Sequence, residues 1–288
     1  MASKEPKQSL NLKKEARLLP SYLVLLIWVI FTVVLLGWIF AASLSTTKEI
    51  NLGKVLQFES GFHFENYAAA WNSYNVSVYF LNSLIYATVS LVFIILISAP
   101  ASYVLSRFKF FGNRLIRSAF IVSMSIPVIM IILPVFGITT QLRLGGSRWT
   151  LITLYTFLNV PFTTIFLMNF FGSLSRTYEE AAAIDGCSPM KTFWLIMLPL
   201  AQPGLVTVGI FLFLSVWNEY FMALIFASSE KLRSVGPGLY MMVDTMTRTG
   251  KLGGLFASVV IVFLPTFLLY IFLSEKIIAG VTGGGIKG

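Results

Sequence analysis

Few side chains in this 288-residue chain could do chemistry: one cysteine (Cys187), one histidine (His63), and a carboxylate, Glu219, set in an apolar stretch as Trp217-Asn218-Glu219-Tyr220. Their spacing excludes most of the chemistry those types allow. Cys187 and His63 fall in different connections, on opposite faces of the membrane in the topology derived below, which nearly excludes a His/Cys metal site. Cys187 has no second thiol for a disulfide. No paired carboxylates and no Ser/His/Asp set share one side at a useful spacing. No Gly-rich loop ends in Gly-Lys-Ser/Thr, and Gly283-Gly284-Gly285 lacks the lysine, strand and helix of a phosphate cradle. Catalysis is therefore not expected on this chain, and no bound cofactor or metal. What remains is a patterned polar interruption between two apolar segments: Glu180-Ala181-Ala182, then Gly186, then Ile196-Met197-Leu198-Pro199. Residues of these types suit docking of a partner or anchoring at the membrane surface.

The elements that must position this loop are set by composition. The chain is 57% apolar and 11% charged, with a mean hydropathy of +0.82, far from a soluble balance. A bilayer core of about 30 Å needs about 20 apolar residues per helix. Six such runs lie near 22–44, 79–106, 118–138, 150–172, 204–227 and 255–274. The first follows Lys13, Lys14 and Arg17 but is longer than a signal-peptide core, so it is expected to stay as an anchor. Pro100, Pro127, Pro134, Pro161 and Pro265 punctuate the spans and permit bends.

Six spans place both ends on one side. Lys4, Lys7, Lys13, Lys14 and Arg17 before span one, and Arg107, Lys109, Arg114 and Arg117 after span two, put that side in the cytoplasm. Lys231, Arg233, Arg248 and Lys251 in the last external loop dissent. The net charge of +9 then reads as topology and contact with anionic lipid, with no pattern for nucleic acid. His63 is expected to be an ordinary exposed residue of the first external loop.

Within the loop between spans four and five, Thr177 and Glu180 have capping-box spacing and predict a short helix from Thr177. Asp185-Gly186 closes it, glycine supplying a left-handed residue. Ser188-Pro189 is an N-cap and first-turn pair for a second helix. That helix carries Met190, Phe193, Trp194 and Met197 as an apolar stripe and bends or stops at Pro199 and Pro203. The product is a helix-turn-helix elbow at the cytoplasmic surface. Lys191 and Trp194 would also suit a simple interfacial anchor. Small Ala181 and Ala182 beside Glu180 favour close approach of a partner.

Glu219 admits two roles. With Asn218 it could bond the hydroxyl groups of a solute while Trp217 or Tyr220 stacks on it, or it could pair with polar backbone or another chain. The near absence of other ionisable groups in the spans argues against an ion-coupled secondary transporter.

The spacing from Glu180 through Pro199 resembles the full EAA signature of permease subunits of binding-protein-dependent ABC importers. Asn82-Ser83-Leu84, Ser106-Arg107-Phe108-Lys109-Phe110-Phe111-Gly112, Ile184-Asp185-Gly186, Trp217-Asn218-Glu219 and the segment from Gly280 to Gly288 resemble the carbohydrate branch, in particular the second, shorter permease of the maltose type. Cys187 departs from the alanine usual there.

The resemblance implies an all-α membrane protein of about six transmembrane helices with a cytoplasmic helix-turn-helix coupling elbow between spans four and five. It implies a tail over 1–21, a transmembrane domain over 22–275 with the coupling loop at 173–203, and a cytoplasmic tail over 276–288. The chain would pair with a second, homologous permease in a bacterial or archaeal cytoplasmic membrane. An ATPase dimer would hold ATP and Mg, and an extracytoplasmic solute-binding protein would deliver a sugar. Glu180, Ala181, Ala182, Asp185, Gly186, Ile196, Leu198 and Pro199 would couple to the ATPase, and Trp217, Asn218, Glu219 and Tyr220 would lie near the substrate path. The glycine-rich end would reach into the ATPase interface. An importer for a non-sugar solute, a secondary transporter and a membrane scaffold remain as alternatives.

Overall fold

A computed structural model describes residues 12–283, with side chains over 18–274. Every regular element among the described residues is helical. Helix α1 (Leu12–Ser43) is followed by short α2 (Thr47–Asn51) and α3 (Glu65–Ser73), then by long α4 (Val76–Arg107). Helix α1 begins at Leu12, so helix extends into the expected tail over 1–21 and runs on into span one.

The run read as one span near 118–138 is two helices, α5 (Asn113–Met124) and α6 (Val128–Gln141), bent by 99°. Pro127 causes the break: it is extended at ψ 128, lacks an N–H and disfavours helix in the residue before it. Helix α7 (Arg148–Ser173) is continuous through Pro161. It runs parallel to α4, since the Ser90 and Ser98 hydroxyls reach the Ile152 and Val160 carbonyls and Arg107 reaches that of Leu174, at nearly constant offsets. One end of this pair carries Arg107 and the residues after Ser173. The other, here called the outer end, carries residues 44–75 and 142–147.

After α7 come α8 (Thr177–Ile184) and α9 (Pro189–Thr192), a π turn over Phe193–Met197, α10 (Leu198–Leu200) and α11 (Gln202–Trp217). The span expected over 204–227 is interrupted. Helix α11 stops at Trp217, and α12 (Phe221–Phe226) follows a three-residue break. After a single 3-10 turn, α13 (Val235–Thr249) occupies what the sequence reads as the last external loop. Helix α14 (Leu252–Gly283) closes the chain, so helix extends into the expected tail over 276–288, whose last residues, from Gly284, lie outside the described ones.

Among the described residues four helices are long and apolar enough to cross a membrane, or up to six spans if each of two bent pairs counts as one. The core is layered along α4 and α7. Tyr86, Leu151, Tyr155, Val216 and Phe226 fill the outer half, and Ile94, Tyr103, Leu167, Phe171, Phe193 and Met197 fill the other. Near its outer end helix α1 packs on α14, where Trp38 meets Phe256 edge-on, and most of its described length is exposed.

His63, expected to be exposed and unremarkable, is half-buried between the Ser60 hydroxyl and the Glu65 carboxylate. Ser60 in turn bonds Glu49, whose pKa is held at about 2 by the backbone N–H groups of Thr46 and Ser60. This network folds the segment between α1 and α3 into an ordered outer cap.

Candidate functional site

The elbow is α8, a glycine turn and the arm formed by α9, the π turn and α10. Gly186 has φ +75, its N–H reaches the Ala183 carbonyl, and the Cys187 N–H reaches that of Ala182 at 2.8 Å. This pair of bonds is a Schellman closure. The Ser188 hydroxyl accepts from Lys191 N–H, with Pro189 in the first turn.

Three local expectations need correction. Thr177 does not cap α8. It lies inside the first turn, its hydroxyl is bonded to that of Ser175, and no side chain caps the helix. The apolar stripe divides, with Phe193 and Met197 buried against Tyr103 and Phe171 while Met190 and Trp194 are exposed. The wider π turn resets the phase ahead of Pro199, which offers no N–H to the preceding turn. Ala182 is 2% exposed, so its side chain is already covered within this chain and does not lie on the free surface with Ala181.

Glu180, Ala181, Asp185, Gly186 and Pro199 lie at the surface, Ile196 and Leu198 are half-buried, and Ile184 is 87% exposed at the tip of the turn. The acidic contact to the bundle comes from Glu179, which sequence reasoning passed over. Its carboxylate lies 3.4 Å from Arg107 Nε, and Arg107 also donates to the Leu174 carbonyl at 2.8 Å. The two side chains are 20% and 6% exposed. They tie the first arm of the elbow to the end of α4, and Cys187, Thr192 and Arg176 join them around a cavity of about 320 Å³. A lone Glu179 gave no sequence signal, because its partner is distant in the chain.

The break after Trp217 does not assemble the four residues read as a path. Trp217 is 1% exposed, stacked on Phe213 and edge-on to Phe80, so it is core. Asn218 is exposed and turned back to the Leu214 carbonyl, and Tyr220 packs on Phe221 and Tyr240. Glu219 accepts the N–H groups of Met222 (2.7 Å) and Ala223 (3.0 Å) and the Tyr155 hydroxyl (2.8 Å). It starts α12 and ties it to α7, which is the backbone-pairing alternative. Glu219→Ala should destabilise by about 1–2 kcal/mol, as for loss of a helix cap. Thermal unfolding of the purified protein should show a lower Tm for Glu219→Ala and less loss for Glu219→Gln; an unchanged Tm would contradict the capping role.

Asn82 and Ser83 acquire a purpose at the outer end. Asn82 donates to the Lys231 and Arg233 carbonyls, Ser83 accepts from Val235 N–H, and Tyr86 donates to the Leu232 carbonyl. The start of α4 thereby grips the segment leading into α13. Glu230 accepts from Tyr79 and Asn75, which holds its carboxyl below the usual range.

The model of the binding-protein-dependent transport system inner membrane component family matches residues 92–278, most of the chain and the whole elbow. The chain belongs to this family. The permease is 33% identical over 267 residues to the diacetylchitobiose uptake system permease NgcG of Streptomyces coelicolor, covering 93% of this chain and 88% of that one. It is 32% identical to the sulfoquinovosyl glycerol transport system permease SmoH of Agrobacterium fabrum, covering 87% of each. It is 28% identical to the trehalose transport system permease SugB of Mycobacterium tuberculosis, covering 87% of this chain and 91% of that one. A chain in the solved structure of a bacterial ABC transporter that imports the acidic polysaccharide alginate shares the fold, with a TM-score of 0.80 over 94% of this chain and 99% of that one at 22% identity. The permease is thus a non-catalytic, multi-pass membrane subunit of an ABC importer. The family implies a second permease, an ATPase and a substrate-binding protein as its partners.

Proposed function

We propose that this permease lines, with a second and different permease, the path for a sugar or oligosaccharide, and that its elbow couples the path to a cytoplasmic ATPase dimer. The observation that carries the coupling is the elbow itself, a rigidly closed turn with an exposed tip, fastened to α4 through Arg107 and Glu179. The sugar reading rests on similarity over nearly the whole chain to permeases named for diacetylchitobiose, sulfoquinovosyl glycerol and trehalose uptake. Coupling needs two discrete arrangements of a packed element, since a ligand shifts an equilibrium only by its differential contacts. An elbow pinned to α4 and leading through α10 into α11 suits that, because movement of the tip displaces two helices together.

Glu180, Ala181, Asp185 and Gly186 form the face presented to the ATPase, while Leu198 and Pro199 set the angle at which the second arm meets α11. Both termini are cytoplasmic in this reading, on the side of the elbow and of the basic run from Arg107 to Arg117. The exposed length of α1 faces lipid and the partner permease.

The test is ATPase stimulation of the purified importer complex in liposomes with its binding protein. Oligosaccharides or glycosides should stimulate hydrolysis several-fold, and amino acids or inorganic ions should not. Stimulation by a non-sugar solute alone would overturn the sugar reading and leave the coupling reading intact.

A further inference from the structure

The connection from α6 to α7 borders a cavity apart from the elbow and from the break after Trp217. At the outer end, Thr139, Arg143, Ser147, Trp149, Thr150 and Thr153 surround a cavity of about 250 Å³. Arg143 has φ +55, a left-handed conformation that is uncommon for a residue with a side chain and that here turns the chain back toward α7. Among the described residues its guanidinium makes no ion pair. The sequence explains why none is local: no Asp or Glu occurs from residue 66 to residue 178.

Depth in the membrane gives this cation its surroundings. Helix α7 has 26 residues, which at 1.5 Å rise is about 39 Å, longer than a hydrocarbon core of about 30 Å. A helix longer than the core carries its ends toward the headgroups, and its first turn, with the cavity beside it, is one of those ends. Trp149 is 63% exposed there and meets Phe93 of α4 edge-on, the position where an indole anchors at a bilayer interface. Below it the surface is apolar, with Phe157, Phe93 and Ile97 exposed.

We propose that this cavity binds the phosphate headgroup of an anionic membrane phospholipid, with an acyl chain lying along Trp149, Phe93 and Phe157. The Arg143 guanidinium offers two donors to phosphate oxygens in a fixed fork, and the exposed Thr153 hydroxyl adds a third. A soluble anion would find the same donors but no use for the apolar strip. The proposal is independent of which solute is carried.

The test uses the intact importer complex, purified in mild detergent and exchanged with phosphatidylglycerol, with retained lipid counted by native mass spectrometry. Wild type should retain phosphatidylglycerol at least threefold better than Arg143→Gln and better than Trp149→Ala. Arg114→Gln, on the opposite side of the membrane, should match wild type, and inorganic phosphate at millimolar concentration should not displace the lipid. Equal retention by wild type and Arg143→Gln would overturn the proposal, and so would displacement by inorganic phosphate, which would mark a soluble-anion site. Thr153→Val is a second variant that leaves the loop backbone alone and should give a smaller loss in the same direction.

Discussion

Gly186→Pro should abolish ATP-driven solute uptake while the importer complex still assembles and hydrolyses ATP without response to its binding protein. Gly186 sits at φ +75 and donates its N–H to Ala183. Proline fixes φ near −65° and has no N–H, so the turn cannot form. Crowding plays no part, because a Cβ at Gly186 would meet nothing within 4 Å. Gly186→Ala therefore isolates the backbone term, about 1–2 kcal/mol for a left-handed residue, and should reduce uptake only partly. Parallel assays of uptake and hydrolysis in proteoliposomes decide the matter. Full uptake by Gly186→Pro would show that the elbow's turn does not transmit the stroke.

The second large effect is expected from Arg107. Arg107→Ala removes the guanidinium 3.4 Å from Glu179, whose side chain is 20% exposed, and it also frees the Leu174 carbonyl. Breaking one partner of a buried pair costs about 3–5 kcal/mol, and the residual water at Glu179 argues for the low end. The distinguishing consequence is non-additivity. Arg107→Ala combined with Glu179→Ala should be less damaging to stability and to uptake than the sum of the single changes, because the double variant strands no charge. Thermal unfolding and uptake measured for all four proteins give the coupling energy. Additive losses would mean that the 3.4 Å contact holds nothing together.

The elbow's turn was legible because its signals are local. A left-handed glycine after an aspartate, and a serine followed by proline, each act within four residues, and both expectations agree with the geometry at Gly186 and Ser188. Where two local signals compete, pattern alone failed. Thr177 has capping-box spacing, yet Ser175 takes its hydroxyl and the helix has no side-chain cap. Contacts made across the chain were not legible. Nothing near Glu179 points to Arg107, and nothing near Trp217 says that Phe80 and Phe213 will enclose it.

Helix α13 shows a different failure. The segment holding Arg233 and Arg248 reads as an external loop, but it is helical from Val235: Pro237 tolerates a first turn and Gly238 is there for packing, since a Cβ would stand 2.3 Å from the Tyr79 ring. The stripe Val235, Leu239, Met242, Met246 keeps helical spacing through Gly238 and was the signal available. The apolar runs near 118–138 and 204–227 hid their breaks for a related reason, since hydropathy averages over Pro127 and over Asn218-Glu219 while the backbone responds to each residue.

The central claim, that the elbow tip seats on the ATPase, is tested most directly by placing a photo-crosslinking amino acid at Ile184, which is 87% exposed at the turn. In cells expressing the whole importer, irradiation should join this permease to the ATPase subunit, with a yield that changes when ATP is trapped. The same probe at the exposed outer residue Phe62 should give no ATPase adduct. A transport-competent Ile184 variant that forms no ATPase adduct would contradict the account.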